Sequence, residues 1–146
     1  MTTRTPEYTR VTTPLTVLIR GSNKEASSIL VKLKATACTD ITGFGLAGHL
    51  LEMLAKDRIE VSINLDALPI MDGAVNSLKQ GIFSSLHEDN RKVSSYISGH
   101  SNLSKMPKYE ILFDPQTSGG LLASISSELA EICVNQLIEA GYQSTR

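Results

Sequence analysis

The chain has 146 residues, of which 41% are hydrophobic and 20% are charged, and its formal net charge is −1. This length and composition suit one folded domain with its own core and exclude a disordered chain. The near-neutral charge and the absence of Trp argue against nucleic acid or an anionic membrane surface as a partner.

The two cysteines, Cys38 and Cys133, stand far apart and form no C-x-x-C pair. That usage is typical of a reducing compartment and argues against a disulfide framework or a local zinc site. Thr and Pro residues interrupt the apolar stretch near the N-terminus, and no apolar run approaches the ~20 residues that span a bilayer. We therefore expect a cytoplasmic protein with no membrane partner.

The first half of the chain mixes helical and strand-like patterns. Residues 1–17, rich in Thr and with two prolines, predict an irregular N-terminal arm ahead of a domain at 18–146. Apolar residues spaced by three and four predict helices at 24–33 and 43–56. Strict alternation in I-E-V-S-I-N-L then predicts a strand at 59–65 with one exposed face.

The second half begins with a short helix predicted at 74–79. Polar residues dominate 84–108, which predicts a long loop with at most one helical turn. Strands are predicted at 109–113 and 121–125, and a helix at 127–140 that ends at a glycine. The residues expected to face the core from that last helix are Leu129, Ile132, Cys133 and Leu137.

These elements predict an α+β fold, a layered α/β domain in which helices pack on a mixed or antiparallel sheet. Because the strand at 59–65 alternates between apolar and polar residues, it does not suit the centre of a doubly wound parallel sheet. We expect the sheet to have one exposed face, or one covered by something outside this chain.

The stretch C-T-D-I-T-G-F-G-L-A-G-H-L at 38–50 contains G-x-G-x-x-G, the glycine pattern of dinucleotide-binding turns. Asp66 follows at about the distance of a ribose-binding acid. However, the residues before the glycines do not form the buried hydrophobic strand that this interpretation needs, and the later strand alternates. We therefore disfavour a dinucleotide site.

The same stretch suits an anion and a metal in another way. Thr42, Gly43 and Gly45 lie at a helix start, where free N–H groups and the helix dipole favour an anion. Asp40 is a hard oxygen ligand of the kind that Mg²⁺ prefers. The simpler alternative is that Thr42 caps the helix and Asp40 is an acid favoured by the dipole.

A second glycine-rich stretch, L-F-D-P-Q-T-S-G-G-L-L, occupies 112–122 between two predicted strands. Gly119 and Gly120 permit a positive φ or close approach by another backbone. A tight hairpin turn explains the same residues without any ligand.

Taken together, A-T-A-C-T-D-I-T-G-F-G-L-A-G-H-L at 35–50 and L-F-D-P-Q-T-S-G-G-L-L-A at 112–123 closely resemble the signatures of the selenophosphate synthetases (selenide, water dikinases). Both signatures lie in the C-terminal domain of the aminoimidazole-ribonucleotide (AIR) synthetase-like superfamily. S-N-K-E-A at 22–26 and H-E-D-N at 87–90 extend the resemblance to about residues 18–146.

The resemblance implies an AIR-synthase C-terminal-domain-like fold that docks beside an N-terminal nucleotide-binding domain and forms a homodimer. The implied activity is a phosphotransferase reaction with paired acceptors: selenide, ATP and water give selenophosphate, AMP and phosphate. The family's reactive Cys or selenocysteine, its neighbouring Lys and its other metal-binding acids belong to the N-terminal half, so we expect no catalytic residue in this chain. We also expect the chain to be inactive alone and incomplete at its C-terminal end.

By the same resemblance, Asp40 is the Mg²⁺ ligand at a site shared with ATP. The residues carried over as candidates for the phosphate end of that site are Thr42, Gly43, Gly45, Thr117, Ser118, Gly119 and Gly120. Cys38 is expected to be a small buried residue and Cys133 a core residue. His87 and His100 are expected to be solvated, and His49 with Glu52 lacks the third ligand of a zinc site.

Two alternatives stay open from the sequence. The chain could belong to another ATP-dependent member of the superfamily, such as a thiamine-phosphate kinase, a hydrogenase-maturation protein or the purine-synthesis enzyme. It could instead be a non-catalytic module for dimerisation or assembly.

Overall fold

A computed structural model describes residues 14–17, 22–54 and 59–145, and for residues 14–17 it describes the main chain only. Three strands form one antiparallel sheet. The strands are β1 (Pro14–Val17), β2 (Ala37–Asp40) and β3 (Leu121–Ser124), and their order is β1-β3-β2. Ser124 lies opposite both Pro14 and Ala37. The strand that comes last in sequence is therefore central, and it joins two distant parts of the chain.

Helices surround this sheet. No helix of the described residues is long and apolar enough to cross a membrane. The α-helices are α1 (Lys24–Lys32), α2 (Gly45–Leu54), α3 (Ala74–Lys79), α4 (His87–Asn90), α5 (His100–Leu103) and α6 (Ser127–Glu139), and 3-10 helices cover Leu65–Ala67, Arg91–Tyr96 and Pro107–Phe113.

The helices α1, α2 and α6 agree with the 3.6-residue apolar period, and most predicted helix bounds are close to those observed. α1, α3 and α6 lie within one residue of the predicted bounds, and Gly141 closes α6 with φ +99°. α2 begins at Gly45, two residues later than predicted, because the N–H of Gly45 bonds to the carbonyl of Thr42 in a preceding turn (3.1 Å). Ile132 does not face the core as predicted, since it is 47% exposed.

Both faces of the central strand β3 are covered, so the expectation of an exposed sheet face holds only at the edge strand β2, where Cys38 and Asp40 are exposed. Leu121 and Ala123 belong to a core with α1 and α6, whereas Leu122 belongs to a second core with α2 and Pro107–Phe113. Each fully buried leucine contributes roughly 1.5–3 kcal/mol to folding. The domain is thus an α+β fold with helices packed on both sides of an antiparallel sheet.

The prediction of a strand at 59–65 is wrong, although its period is real. Exposure alternates along the segment, and Val61, Ile63 and Leu65 pack against the second core. No ladder pairs residues 59–64, and Leu65 already begins a 3-10 turn. The alternation therefore correctly indicated an extended segment with one buried side. Alternation alone does not show that such a segment pairs with another strand.

Two further predictions are corrected near the second core. Residues 109–113 form part of the 3-10 helix Pro107–Phe113, which buries Tyr109, Leu112 and Phe113 at helical spacing and has a proline in its first turn. The predicted loop at 84–108 contains several short helical segments. Within the predicted irregular arm, residues 14–17 form β1, and residues 1–13 lie outside the described residues.

Candidate functional site

The two glycine-rich stretches meet in space. We call residues 41–45, between β2 and α2, the first glycine loop, and residues 115–120, before β3, the second glycine loop. The N–H of Ile41 donates to the carbonyl of Gly120 (2.9 Å), and the N–H of Gln116 donates to the carbonyl of Thr42 (3.0 Å). The two motifs on which the family resemblance depends therefore form one structural unit.

The glycines make this contact sterically possible. A Cβ on Gly119 would lie 2.0 Å from the carbonyl oxygen of Ile41. Gly45 has φ +68°, and a Cβ there would lie 2.9 Å from the carbonyl carbon of Phe113. Close backbone approach, rather than a hairpin, explains the second loop. By contrast, a Cβ on Gly43 would meet nothing within 4 Å.

The polar groups of Thr42 face the protein interior. Its N–H donates to Nε2 of His49 (3.0 Å), and its hydroxyl lies 3.1 Å from the same nitrogen. Its side chain is not a cap of α2, because α2 begins three residues later and its partner is His49. Contact between Thr42 and a nucleotide stays a prediction.

Asn90 holds the first loop from another side. Its amide Nδ2 donates to the carbonyl of Gly43 (2.8 Å) and to the carbonyl of Phe113 (3.0 Å). Because Asn90 is buried, both donors of its side-chain amide find the partners that burial requires. The short helix α4 thereby ties the start of α2 to the end of the 3-10 helix Pro107–Phe113.

Asp40 is the last residue of β2 and is exposed. Its carboxylate makes no hydrogen bond or ion pair with the described residues, so it is free to bind a cation from outside. Within the described part of the chain, no group of three or more His, Cys, Asp or Glu residues could hold a metal ion. The residues present therefore fit a Mg²⁺ site only as one contributed ligand, with the others supplied from elsewhere.

Cys38, two residues before Asp40, is exposed rather than buried as predicted, whereas Cys133 is a core residue as expected. Partial desolvation of the Cys38 thiol and, second, the charge of Asp40 raise its pKa. A raised pKa disfavours the thiolate, which is the nucleophilic form. The structure thus gives no support to a nucleophilic role for Cys38.

The remaining candidates lie at the surface of the same unit. Thr117 and Ser118 are exposed, Gly119 is partly buried and Gly120 is buried. The N–H groups of Gly43 and Phe44 make no hydrogen bond with the described residues, whereas that of Gly45 is used in the turn. A ligand role for the phosphate-end candidates stays a prediction.

The alternative of a dinucleotide site loses its structural basis. The strand before the glycines, β2, is antiparallel to its neighbour β3, and the described residues 59–64 that follow α2 contain no strand, which a parallel β-α-β unit would need. Asp66 is highly exposed and pairs with Lys108 (3.0 Å).

Sequence reasoning missed the histidines. His87 is buried rather than solvated, and its Nε2 lies 2.9 Å from Glu110, which also accepts a hydrogen bond from Arg91. His100 contacts the Tyr109 hydroxyl through Nδ1 (3.0 Å). His49 lies on the buried face of α2, and its spacing along the helix could have indicated this. Its hydrogen-bond partner, Thr42, was instead a candidate for ligand binding.

The family described as AIR synthase related protein, C-terminal domain, matches residues 20–146. Among similar proteins, the "Selenide, water dikinase" of Caldanaerobacter subterraneus subsp. tengcongensis is 40% identical over 111 residues, which is 75% of this chain and 31% of the relative. That of Clostridioides difficile is 38% identical over 116 residues, 79% of this chain and 33% of the relative. That of a Shewanella species is 44% identical over 100 residues, 68% of this chain and 28% of the relative.

This chain spans about a third of the length of these relatives. The match to the domain family covers both glycine loops, the helices α1, α2 and α6, and the residues that hold the loops together. The chain therefore belongs to the AIR synthase related protein, C-terminal domain, family.

Proposed function

We propose that this chain is the C-terminal part of a selenide, water dikinase, the enzyme that converts selenide, ATP and water into selenophosphate, AMP and phosphate. The observation that carries the proposal is the joined pair of glycine loops with the unpaired Asp40 carboxylate beside them. The similarity to proteins of that name, at 32–44% identity, supports the same conclusion.

In this proposal, Asp40 contributes one carboxylate to a Mg²⁺–ATP site that an N-terminal domain completes. Bound Mg²⁺ would neutralise phosphate charge during phosphoryl transfer. This chain's own part is to hold the Asp40 carboxylate in a fixed direction at the end of β2. The packed glycine loops restrict that position, because neither can move without displacing the other.

The family resemblance also supports a homodimer, and the cysteine usage is typical of the cytoplasm; we retain both the homodimer and the cytoplasmic location as proposals. A single carboxylate cannot by itself arrange the nucleotide, the metal and the acceptor, so we propose that the chain is inactive alone. Another ATP-dependent activity of the superfamily, or a non-catalytic assembly role, is the alternative. Selenide-dependent AMP formation by the full-length protein distinguishes the first proposal from both.

Replacing Asp40 with Asn in the full-length protein is expected to lower selenide-dependent AMP formation by at least about tenfold at limiting Mg²⁺. Changes to residues that only orient metal ligands already cost that much. The reaction rate should be measured across a Mg²⁺ titration, because loss of one ligand should move the half-saturating concentration upwards.

Asp66→Asn is the matched control, since it removes an exposed carboxylate whose one ion-pair partner among the described residues is Lys108. It is expected to leave AMP formation near the unmodified rate. An unaltered Mg²⁺ dependence in Asp40→Asn would remove Asp40 from the site.

A further inference from the structure

His49 is a buried histidine whose ring holds the main chain of the first glycine loop. It is 6% exposed, and its Nε2 lies 3.0 Å from the backbone nitrogen of Thr42. A backbone N–H can only donate, so Nε2 must accept through its unprotonated lone pair. In a neutral imidazole the proton must then be on Nδ1.

The other side of the ring supports the same tautomer. Nδ1 of His49 lies 3.2 Å from Oε2 of Glu52, although without hydrogen-bond geometry. A proton on Nδ1 faces this carboxylate favourably, whereas a lone pair there would face negative charge. The position of Glu52, one turn along α2, is thus consistent with Nε2 as the acceptor.

The neighbouring peptides of the loop are held by other groups. Ile41 donates to Gly120, the carbonyl of Thr42 accepts from Gln116, and the carbonyl of Gly43 accepts from Asn90. The N–H of Thr42 would be a part-buried donor without a protein partner among the described residues if His49 were lost or its Nε2 carried a proton. Leaving such a donor unsatisfied costs more than the net worth of the bond itself.

We propose that His49, as the neutral tautomer protonated on Nδ1, is a positioning residue that fixes the Thr42 peptide. By fixing that peptide it sets the direction in which the chain leaves β2, and with it the direction of Asp40. The consequence for activity rests on the function proposed above, but the role of the ring in the loop does not.

The first test reads the tautomer directly in the unmodified chain. Long-range proton–nitrogen correlation spectra of the ¹⁵N-labelled histidines should show His49 with a protonated Nδ1 and an unprotonated Nε2 at neutral pH. A protonated Nε2 overturns the proposal, because that nitrogen could not then accept the Thr42 N–H. This measurement needs no variant and so does not depend on the folding of one.

The second test compares His49→Gln with His49→Leu by amide hydrogen exchange. The side-chain oxygen of Gln can take the place of Nε2 as an acceptor, whereas Leu fills space without accepting. We expect exchange at Thr42 to be about tenfold faster in the Leu variant and near that of the unmodified chain in the Gln variant. Ile41 is the internal control, since its N–H bonds to Gly120 and not to His49.

Equal acceleration at Ile41 and Thr42 in the Leu variant overturns the proposal, because it would indicate general loosening of the core. Failure of Gln to restore protection also overturns it. In the full-length protein, His49→Leu should lower AMP formation and His49→Gln should restore most of it. If Asp40→Asn leaves the reaction unchanged, the proposed role of Asp40 fails, and if the full-length protein forms no AMP from selenide and ATP, the proposed function fails; the exchange result for Thr42 stands in either case.

Discussion

Gly119→Ala is expected to lower the free energy of unfolding of this chain by about 2–4 kcal/mol. The added Cβ would lie 2.0 Å from the carbonyl oxygen of Ile41. That atom belongs to the main chain and cannot rotate away, so the two glycine loops must separate. Their separation would break the hydrogen bond from Ile41 to Gly120 as well.

Urea unfolding of the chain, followed by circular dichroism, measures the effect, and an unchanged m-value would show that the same transition is compared. Gly43→Ala is the matched control, because it lies in the same motif with open space around its Cα. It is expected to change the free energy of unfolding by no more than about 0.5 kcal/mol. Equal midpoints for the two variants would contradict the close packing of the loops.

The sequence identified the two glycine motifs, and close approach by another backbone was one of the two reasons expected for glycine at Gly119, but it did not show which backbone approaches. The backbone of a distant segment comes close to Gly45 and to Gly119, and their role at the phosphate end stays a prediction. Nothing local in the sequence indicates which backbone will approach a glycine. The resemblance to a family placed both motifs in one domain, and in the structure their main chains are in contact.

Helices were predicted better than strands for a physical reason. An amphipathic helix satisfies its main chain internally, so its apolar period locates α1 and α6 without a partner. A strand needs a partner, and the segment 59–65 pairs with no strand in the part of the chain that the structure describes. At 107–113 the misassignment came from Tyr109 and Phe113, whose spacing of four residues suits either a strand or a helix.

The interior ion pairs could not be predicted, because their members are far apart in the sequence. Glu110 is joined to His87 and Arg91 only once the 3-10 helix Pro107–Phe113 packs against α4. His87 lies in a polar stretch and was therefore expected in solvent. Folding instead buries it between Phe83, on which it stacks, and Phe113.

Glu110→Ala is expected to destabilise the chain by about 2–4 kcal/mol at neutral pH, since removing one member of a buried pair leaves the other charge uncompensated. The Glu110 side chain is 12% exposed, and Oε2 lies 2.9 Å from both His87 Nε2 and Arg91 Nε. We place the effect below the largest known for buried pairs because the Arg91 side chain is 37% exposed. Urea midpoints at pH 7 measure it.

The same carboxylate predicts a pH dependence. Burial alone would raise the pKa of Glu110, but hydrogen bonds from Arg91 and then His87, with their charges, outweigh burial and lower the pKa below its ordinary value of 4.5. A lowered pKa means that the stabilisation is fully present above about pH 4.5 and is lost as the pH falls through the pKa of the folded state. The stability difference between the unmodified chain and Glu110→Gln should therefore shrink as the pH is lowered from 5 to 3.

Asp89→Asn is the control for this pH series, because Asp89 also pairs with a cation, Lys92, but at the surface. Exposed pairs contribute little to stability, so this variant should follow the unmodified chain closely. If Glu110→Gln were as stable as the unmodified chain at every pH, the Glu110 carboxylate would make no charge-dependent contact that stabilises the fold. If the stability difference between the unmodified chain and Glu110→Gln instead grew towards low pH, the fold would prefer the protonated form of Glu110. That result would contradict a lowered pKa for this carboxyl group.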